Sequence, residues 1–155
     1  MPELPFERML QERQADRLPS VAAAVVRKGR LEWSGAVGYA SYDGDVEAAP
    51  QMQYRIGSIT KTFTATAVMQ LRAEGKLDLD DRLEQYLDGF PAGSPTIRRL
   101  LSHLSGLQRE AGEMYVTGES PTEQELVAHL KLVLPAGAQH HYSNLAFAVL
   151  GQIVV

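Results

Sequence analysis

The 155-residue chain contains no cysteine. That excludes disulfides, thiolate catalysis and zinc–thiolate centres, although it leaves the compartment open. No stretch approaches the ~20 apolar residues that a membrane-spanning helix needs, so no membrane span is expected. The N-terminus, Met1-Pro2-Glu3-Leu4-Pro5, lacks the basic start and apolar run of a signal peptide. A cytoplasmic location is therefore expected, or a periplasmic or secreted one if a leader has been removed. Charge of one sign is also scarce. Fifteen basic against nineteen acidic residues leave a net charge of -4, which argues against a nucleic-acid surface. Internal repeats and low-complexity segments are absent. His140 and His141 lack the spaced partners of a zinc site, so no metal is assigned, and nothing in the pattern calls for a cofactor.

What is present is the mix of a globular protein, with 45% apolar and 22% charged residues. Residues 3–16 fit a short amphipathic helix ending before Pro19. Residues 21–27, rich in Val and Ala, read as a buried strand. Lys28-Gly29 is a tight turn, and residues 31–39 are a second strand with Trp33, Val37 and Tyr39 in alternation. Asp43-Gly44-Asp45 marks a loop.

From Ser58 the period changes to that of a helix. Phe63, Ala67, Val68 and Leu71 form its apolar face, and Gly75 is placed to end it. Further helical stretches are predicted over 79–86, 96–103, 122–132 and 144–155. Strands first and helices afterwards describe an α+β protein. A two-stranded hairpin is marginal in water by itself, and the last helix runs into Ile153-Val154-Val155 without a stop signal. Both features lead us to expect that more chain belongs to this fold.

Two segments carry chemistry. Gly57-Ser58-Ile59-Thr60-Lys61 places a serine and a lysine three residues apart at a helix start. Positions i and i+3 share a helix face, so the amine reaches the hydroxyl. The N–H of Ser58 at the helix N-terminus can donate to an oxyanion, and Gly57 permits a close approach by the preceding chain. An exposed serine and lysine on a helix fit the same tetrapeptide. Tyr142-Ser143-Asn144 precedes the last apolar helix. A phenol near a cation is a better base than a free one, and Asn144 can donate to a substrate carbonyl or fix the lysine. The alternative is that the Tyr142 ring packs and Asn144 caps the helix.

Taken together, Tyr54-Arg55-Ile56-Gly57-Ser58-Ile59-Thr60-Lys61-Thr62-Phe63-Thr64-Ala65 resembles the nucleophile segment of the class C β-lactamase and family VIII esterase group. Ile97-Arg98-Arg99-Leu100-Leu101-Ser102-His103-Leu104-Ser105-Gly106-Leu107 is similar to that group's L-L-S-H-T-S-G-L helix, and residues 135–151 to its P-G-x-x-F-x-Y-S-N-x-x-Y-x-x-L-G segment. The resemblance implies a β-lactamase/transpeptidase-like α+β fold. It also implies a serine hydrolase with Ser58 as the acylated nucleophile, Lys61 as its neighbouring base and Tyr142 sharing the acid–base work. Asn144 would position the substrate or Lys61. Substrates of this group include β-lactams, esters and D-amino-acid peptides. The same resemblance admits a sensor that acylates and deacylates slowly, or an inactive fragment.

The chain departs from the pattern at Leu104, where threonine is usual, at Pro135-Ala136-Gly137, and at His140 and His141 in place of aromatic residues. The group's third motif, Lys or His followed by Thr or Ser and Gly, has no counterpart. Residues 1–155 are therefore expected to be the N-terminal portion of a single catalytic domain whose C-terminal strands and helix lie outside this sequence. The expected partners are a small-molecule or peptide substrate and a C-terminal piece of the same protein. Elsewhere, His103 is expected to be structural and bonded to backbone from a helix, and Arg55 to form an ion pair. Glu110, Glu113 and Glu119 lie in a loop expected to flank the active site, where they are expected to be solvated, the alternative being that one of them contacts substrate. The Met and Phe residues at helical spacing are expected in the core.

Overall fold

The computed structural model describes residues 5–14, 18–41, 43, 46–90, 93–110 and 122–155. Gly44, Asp45, Glu113, Glu119 and the ends of the 3–16 helix lie outside these residues. Two compact units divide the chain, residues 1–55 and 56–155.

The first unit is a helix and a hairpin. Helix α1 spans Pro5–Gln14, with proline at the first position, where its missing N–H costs nothing. Strands β1, Ser20–Arg27, and β2, Arg30–Gly38, pair antiparallel. The turn between them has positive φ at both Lys28 (51°) and Gly29 (75°), the twist-matched form for a two-residue hairpin. Val25 pairs with Trp33 but Val26 pairs with Leu31, so Glu32 is the extra residue of a bulge. Phe6 of α1 packs on Trp33 with ring centroids 5.5 Å apart, and Leu10 is buried. The expectation of a buried first strand is not met. Every residue of β1 is half-buried or exposed, because the sheet of the described residues has only two strands and so no neighbouring strand flanks β1 on its open edge.

In the second unit a 3₁₀ turn, Gly57–Ile59, leads into α2, Thr60–Ala73. The first residues of the expected helix are thus more tightly wound than an α-helix. Gly57 is required for its φ of +54° and not for close approach, since a Cβ there meets nothing within 4 Å. At the other end, Gly75 N–H donates to Arg72 O and Lys76 N–H to Leu71 O, the reciprocal pair that closes a helix at a glycine.

Residues 79–86 do not form a helix. Asp81 takes the backbone N–H of Asp78 on its carboxylate, an alternative that competes with helical bonding. Only a 3₁₀ turn at Leu83–Gln85 remains. Helix α3, Ile97–Leu101, starts at the cap Thr96. Helix α4, Glu123–His129, starts at Thr122 with a full capping box to Glu125. It ends before the predicted Leu132, which instead bridges Leu107. Helix α5 is Asn144–Val154. No described helix is long and apolar enough to cross a membrane.

The core of this unit joins Val68 of α2, Ile97 and Leu100 of α3, Leu126 of α4, and Leu145, Val149 and Leu150 of α5. Of the expected apolar face of α2, Val68 is buried and Leu71 packs against the cluster, but Phe63 is 66% exposed and Met69, on another side of the helix, is 40% exposed, so these two do not join the core.

The chain after α3 is tied into this core by its backbone. Gly106 O accepts from Val133 N and Leu134 N, and Gly137 N–H donates to Leu104 O. Gly106 has a φ of +75°, and a Cβ there would stand 2.1 Å from Leu134 O. Gly106→Ala therefore combines a left-handed backbone with a clash against immovable backbone. It should destabilise the fold by roughly 2 kcal/mol or more, read as a lowered midpoint in urea denaturation. An unchanged midpoint would show that the loop yields easily.

Candidate active site

Four side chains from two helix starts meet in the second unit. Ser58 lies in the 3₁₀ turn and Lys61 in the first turn of α2. Lys61 Nζ donates to Ser58 Oγ at 3.4 Å, the reach expected of an i, i+3 pair. Tyr142 and Asn144 flank Ser143, the N-cap of α5. The Ser143 backbone is extended (φ -130°, ψ 121°) and its hydroxyl accepts from Ala146 N. The alternative of Asn144 as the cap is thereby corrected. Asn144 is already the first helical residue, and its amide is released for the site. The extended cap residue sends Tyr142 and Asn144 to the same side, because alternate residues of an extended chain share a face.

The resulting contacts are short. Ser58 Oγ and Tyr142 Oη are 2.6 Å apart, and either can donate. Lys61 Nζ donates to Asn144 Oδ1 at 2.5 Å and stands 4.9 Å from the centroid of the Tyr142 ring. The Asn144 amide nitrogen donates to Glu110 Oε1. The Lys61 ammonium facing its oxygen, followed by the bonded Ser58 hydroxyl, holds the Tyr142 phenol below its ordinary value, and the Arg109 cation adds in the same direction. Ser58 is exposed, while Lys61, Tyr142 and Asn144 are half-buried.

A supporting layer lies behind these groups. The His103 ring stacks on Tyr142 with centroids 4.4 Å apart, and its Nδ1 accepts from Ser143 N at 3.2 Å. His103 thus binds backbone as expected, but from the turn after α3 with a φ of 58° and not from a helix. Burial, then the nearby His140 and Lys61, push its imidazole below the ordinary value, which favours the neutral ring that can accept this bond. Ser143 Oγ donates to Gln108 O, and Asn144 N–H donates to Arg109 O. The segment 108–110 is therefore fastened along the start of α5. Arg55 makes no ion pair among the described residues. Among those residues, no three His, Asp or Glu side chains are grouped to hold a metal.

The sequence pairs Ser58 with Lys61 through their spacing and puts Glu110 in a loop flanking the site, but it carries no signal that Glu110 meets Asn144 or that Arg109 takes part. Both lie more than thirty residues before the tyrosine segment, and the contact arises only through backbone pairing of two loops. Replacing Lys61 by Met should raise the Tyr142 phenol toward its ordinary value, since the main cation favouring phenolate is lost. The difference in ultraviolet titration between each protein and its Tyr142→Phe counterpart measures this. An unmoved titration would show that Lys61 does not act on the phenol.

Comparison with known proteins places the fold. The Beta-lactamase family model matches residues 6–155. Protein flp of Staphylococcus aureus is 28% identical over 151 residues, covering 91% of this chain and 30% of that protein. Beta-lactamase-like protein 2 of Dictyostelium discoideum is 33% identical, covering 87% of this chain and 28% of that protein. The chain thus spans under a third of the length of these curated relatives. Among solved structures, the octameric penicillin-binding protein homologue from Pyrococcus abyssi superposes with a TM-score of 0.79 at 29% identity, covering 96% of this chain and 37% of that one. The D-amino acid amidase from Ochrobactrum anthropi SV3 superposes with a TM-score of 0.84 at 26% identity, covering 96% and 43%. The fold, the match across nearly the whole sequence and the relatives agree: this chain belongs to the Beta-lactamase family and has the β-lactamase/transpeptidase-like fold.

Proposed function

We propose that this chain is the N-terminal portion of a serine hydrolase that forms an acyl-enzyme on Ser58. The observation that carries the reading is the 2.6 Å contact between Ser58 Oγ and Tyr142 Oη, with Lys61 beside both groups. A serine hydroxyl is a weak nucleophile until a neighbouring base takes its proton. Tyr142, its phenol lowered by Lys61, is that base, and Lys61 keeps the charge on the phenol balanced. Ser58 Oγ attacks the acyl carbon as its proton passes to Tyr142 Oη. The tetrahedral oxyanion is held by the Ser58 N–H in the 3₁₀ turn that leads into α2. Tyr142 returns the proton to the departing alcohol or amine, leaving Ser58 acylated. Water then attacks the ester by the same route in reverse, so each proton is accounted for. Asn144 orients Lys61 through its 2.5 Å bond.

The substrate class is an ester or amide, including β-lactams and D-amino-acid amides or peptides. The D-amino acid amidase and a D-stereospecific amidohydrolase from Streptomyces, the latter 32% identical, support the amide arm. A longer domain is supported by the small share of each relative that the chain covers and by the exposed apolar side chains Ile59 and Phe63 beside the nucleophile. In this reading a C-terminal segment of the same protein supplies the remaining strands and a second oxyanion donor.

In the full-length protein, Ser58→Ala should lower kcat/KM for the best ester or D-amino-acid amide by about 10³-fold or more. Retention of the wild-type rate would rule out Ser58 as the nucleophile.

A further inference from the structure

Asn144 has an amide that can point either way, and only one way serves Lys61. To accept from the Lys61 ammonium, a pure donor, the amide must present Oδ1 to it and turn Nδ2 outward. On the outward side stands Glu110, whose ionised carboxylate can only accept. Its Oε1 takes the Asn144 Nδ2 hydrogen bond at 2.5 Å, while Oδ1 receives Lys61 Nζ at 2.5 Å. The flipped amide would set an NH₂ against an ammonium and a carbonyl against a carboxylate, losing both bonds.

We infer that Glu110 is a positioning residue that fixes the orientation of the Asn144 amide and, through it, the Lys61 amine beside Ser58. The carboxylate is itself held in place. Arg109 Nε stands 3.6 Å from the same Oε1, and the Arg109 carbonyl accepts from Asn144 N at 2.9 Å. Main chain and side chain of the 109–110 pair thus grip the first residue of α5 together. The Glu110 side chain is 45% exposed, so its effect rests on acceptor geometry and not on a buried charge.

The consequence for rate rests on the proposed acyl-enzyme, and the test separates the two. A neutral fluorophosphonate reacts with an activated serine and offers no ammonium for Glu110 to recognise, so its labelling rate reports positioning alone. In the full-length protein, Glu110→Ala should slow labelling about tenfold. Glu110→Gln, whose amide oxygen can still accept from Nδ2, should stay within about threefold of wild type. In an Asn144→Ala background, Glu110→Ala should have no further effect, because the two residues act as one chain of contacts. Independently of activity, the Asn144 side-chain NH₂ resonances should move in Glu110→Ala and stay near their wild-type positions in Glu110→Gln.

The inference is overturned if Glu110→Ala labels at the wild-type rate, if its loss persists undiminished in the Asn144→Ala background, or if the Asn144 resonances ignore Glu110. A wild-type protein that is never labelled would overturn the acyl-enzyme reading instead, and the resonances would still decide the contact.

Discussion

The packing of α5 on α2 is the constraint from which the site follows. Val68 of α2 and Leu145, Val149 and Leu150 of α5 share one buried cluster. Burying each of these side chains is worth on the order of 2 kcal/mol, so the cluster as a whole outweighs any one hydrogen bond at the helix starts. The apolar contact therefore sets the relative position of the two N-termini, and the polar groups inherit it. Ser58 and Tyr142, separated by 84 residues in sequence, come within 2.6 Å because their helices begin near the same place. The extended Ser143 cap then turns both Tyr142 and Asn144 toward Lys61.

The loop 104–110 and the backbone around 133–137 form the scaffold beneath. The departures from the resembling motifs at Leu104 and Pro135-Ala136-Gly137 lie here, and His140 and His141 follow closely. Leu104 uses its carbonyl to hold Gly137 at 2.7 Å, a bond that any residue at 104 can make. His140 sits edge-on to His103 with centroids 5.6 Å apart, and His103 in turn supports the Tyr142 ring. Among the described residues, His140 thus connects to Tyr142 through His103, and Leu104 and Gly137 connect to each other through the backbone.

Much of this was legible in the sequence, and the failures have physical causes. Spacing alone placed Lys61 against Ser58, since an i, i+3 pair shares a face whether the turn is α or 3₁₀. Helical stretches were expected to begin at 96 and 122, and both helices do start there, each capped by its threonine side chain. Phe63 misled because periodicity reports that a helix has an apolar face but not what covers it. Asn144 misled because asparagine and serine cap equally well, and only the backbone angles of Ser143 decide between them. Residues 79–86 looked helical, yet Asp81 draws the local N–H away from helical bonding. Glu110 was legible only as one of three acids in a flanking loop, because nothing in the sequence pairs residue 110 with residue 144. That pairing exists only after the loop has laid its carbonyls along the start of α5.

The central claim is that Ser58, held between Lys61 and Tyr142, is the nucleophile. Peptide mass mapping of the full-length protein after reaction with a covalent serine probe tests it most directly. The account predicts a single adduct on the peptide containing Ser58, formed in the wild type and absent when Tyr142 and Lys61 are both replaced. An adduct on any other serine, or equal modification of Ser58 without its two neighbours, would contradict it.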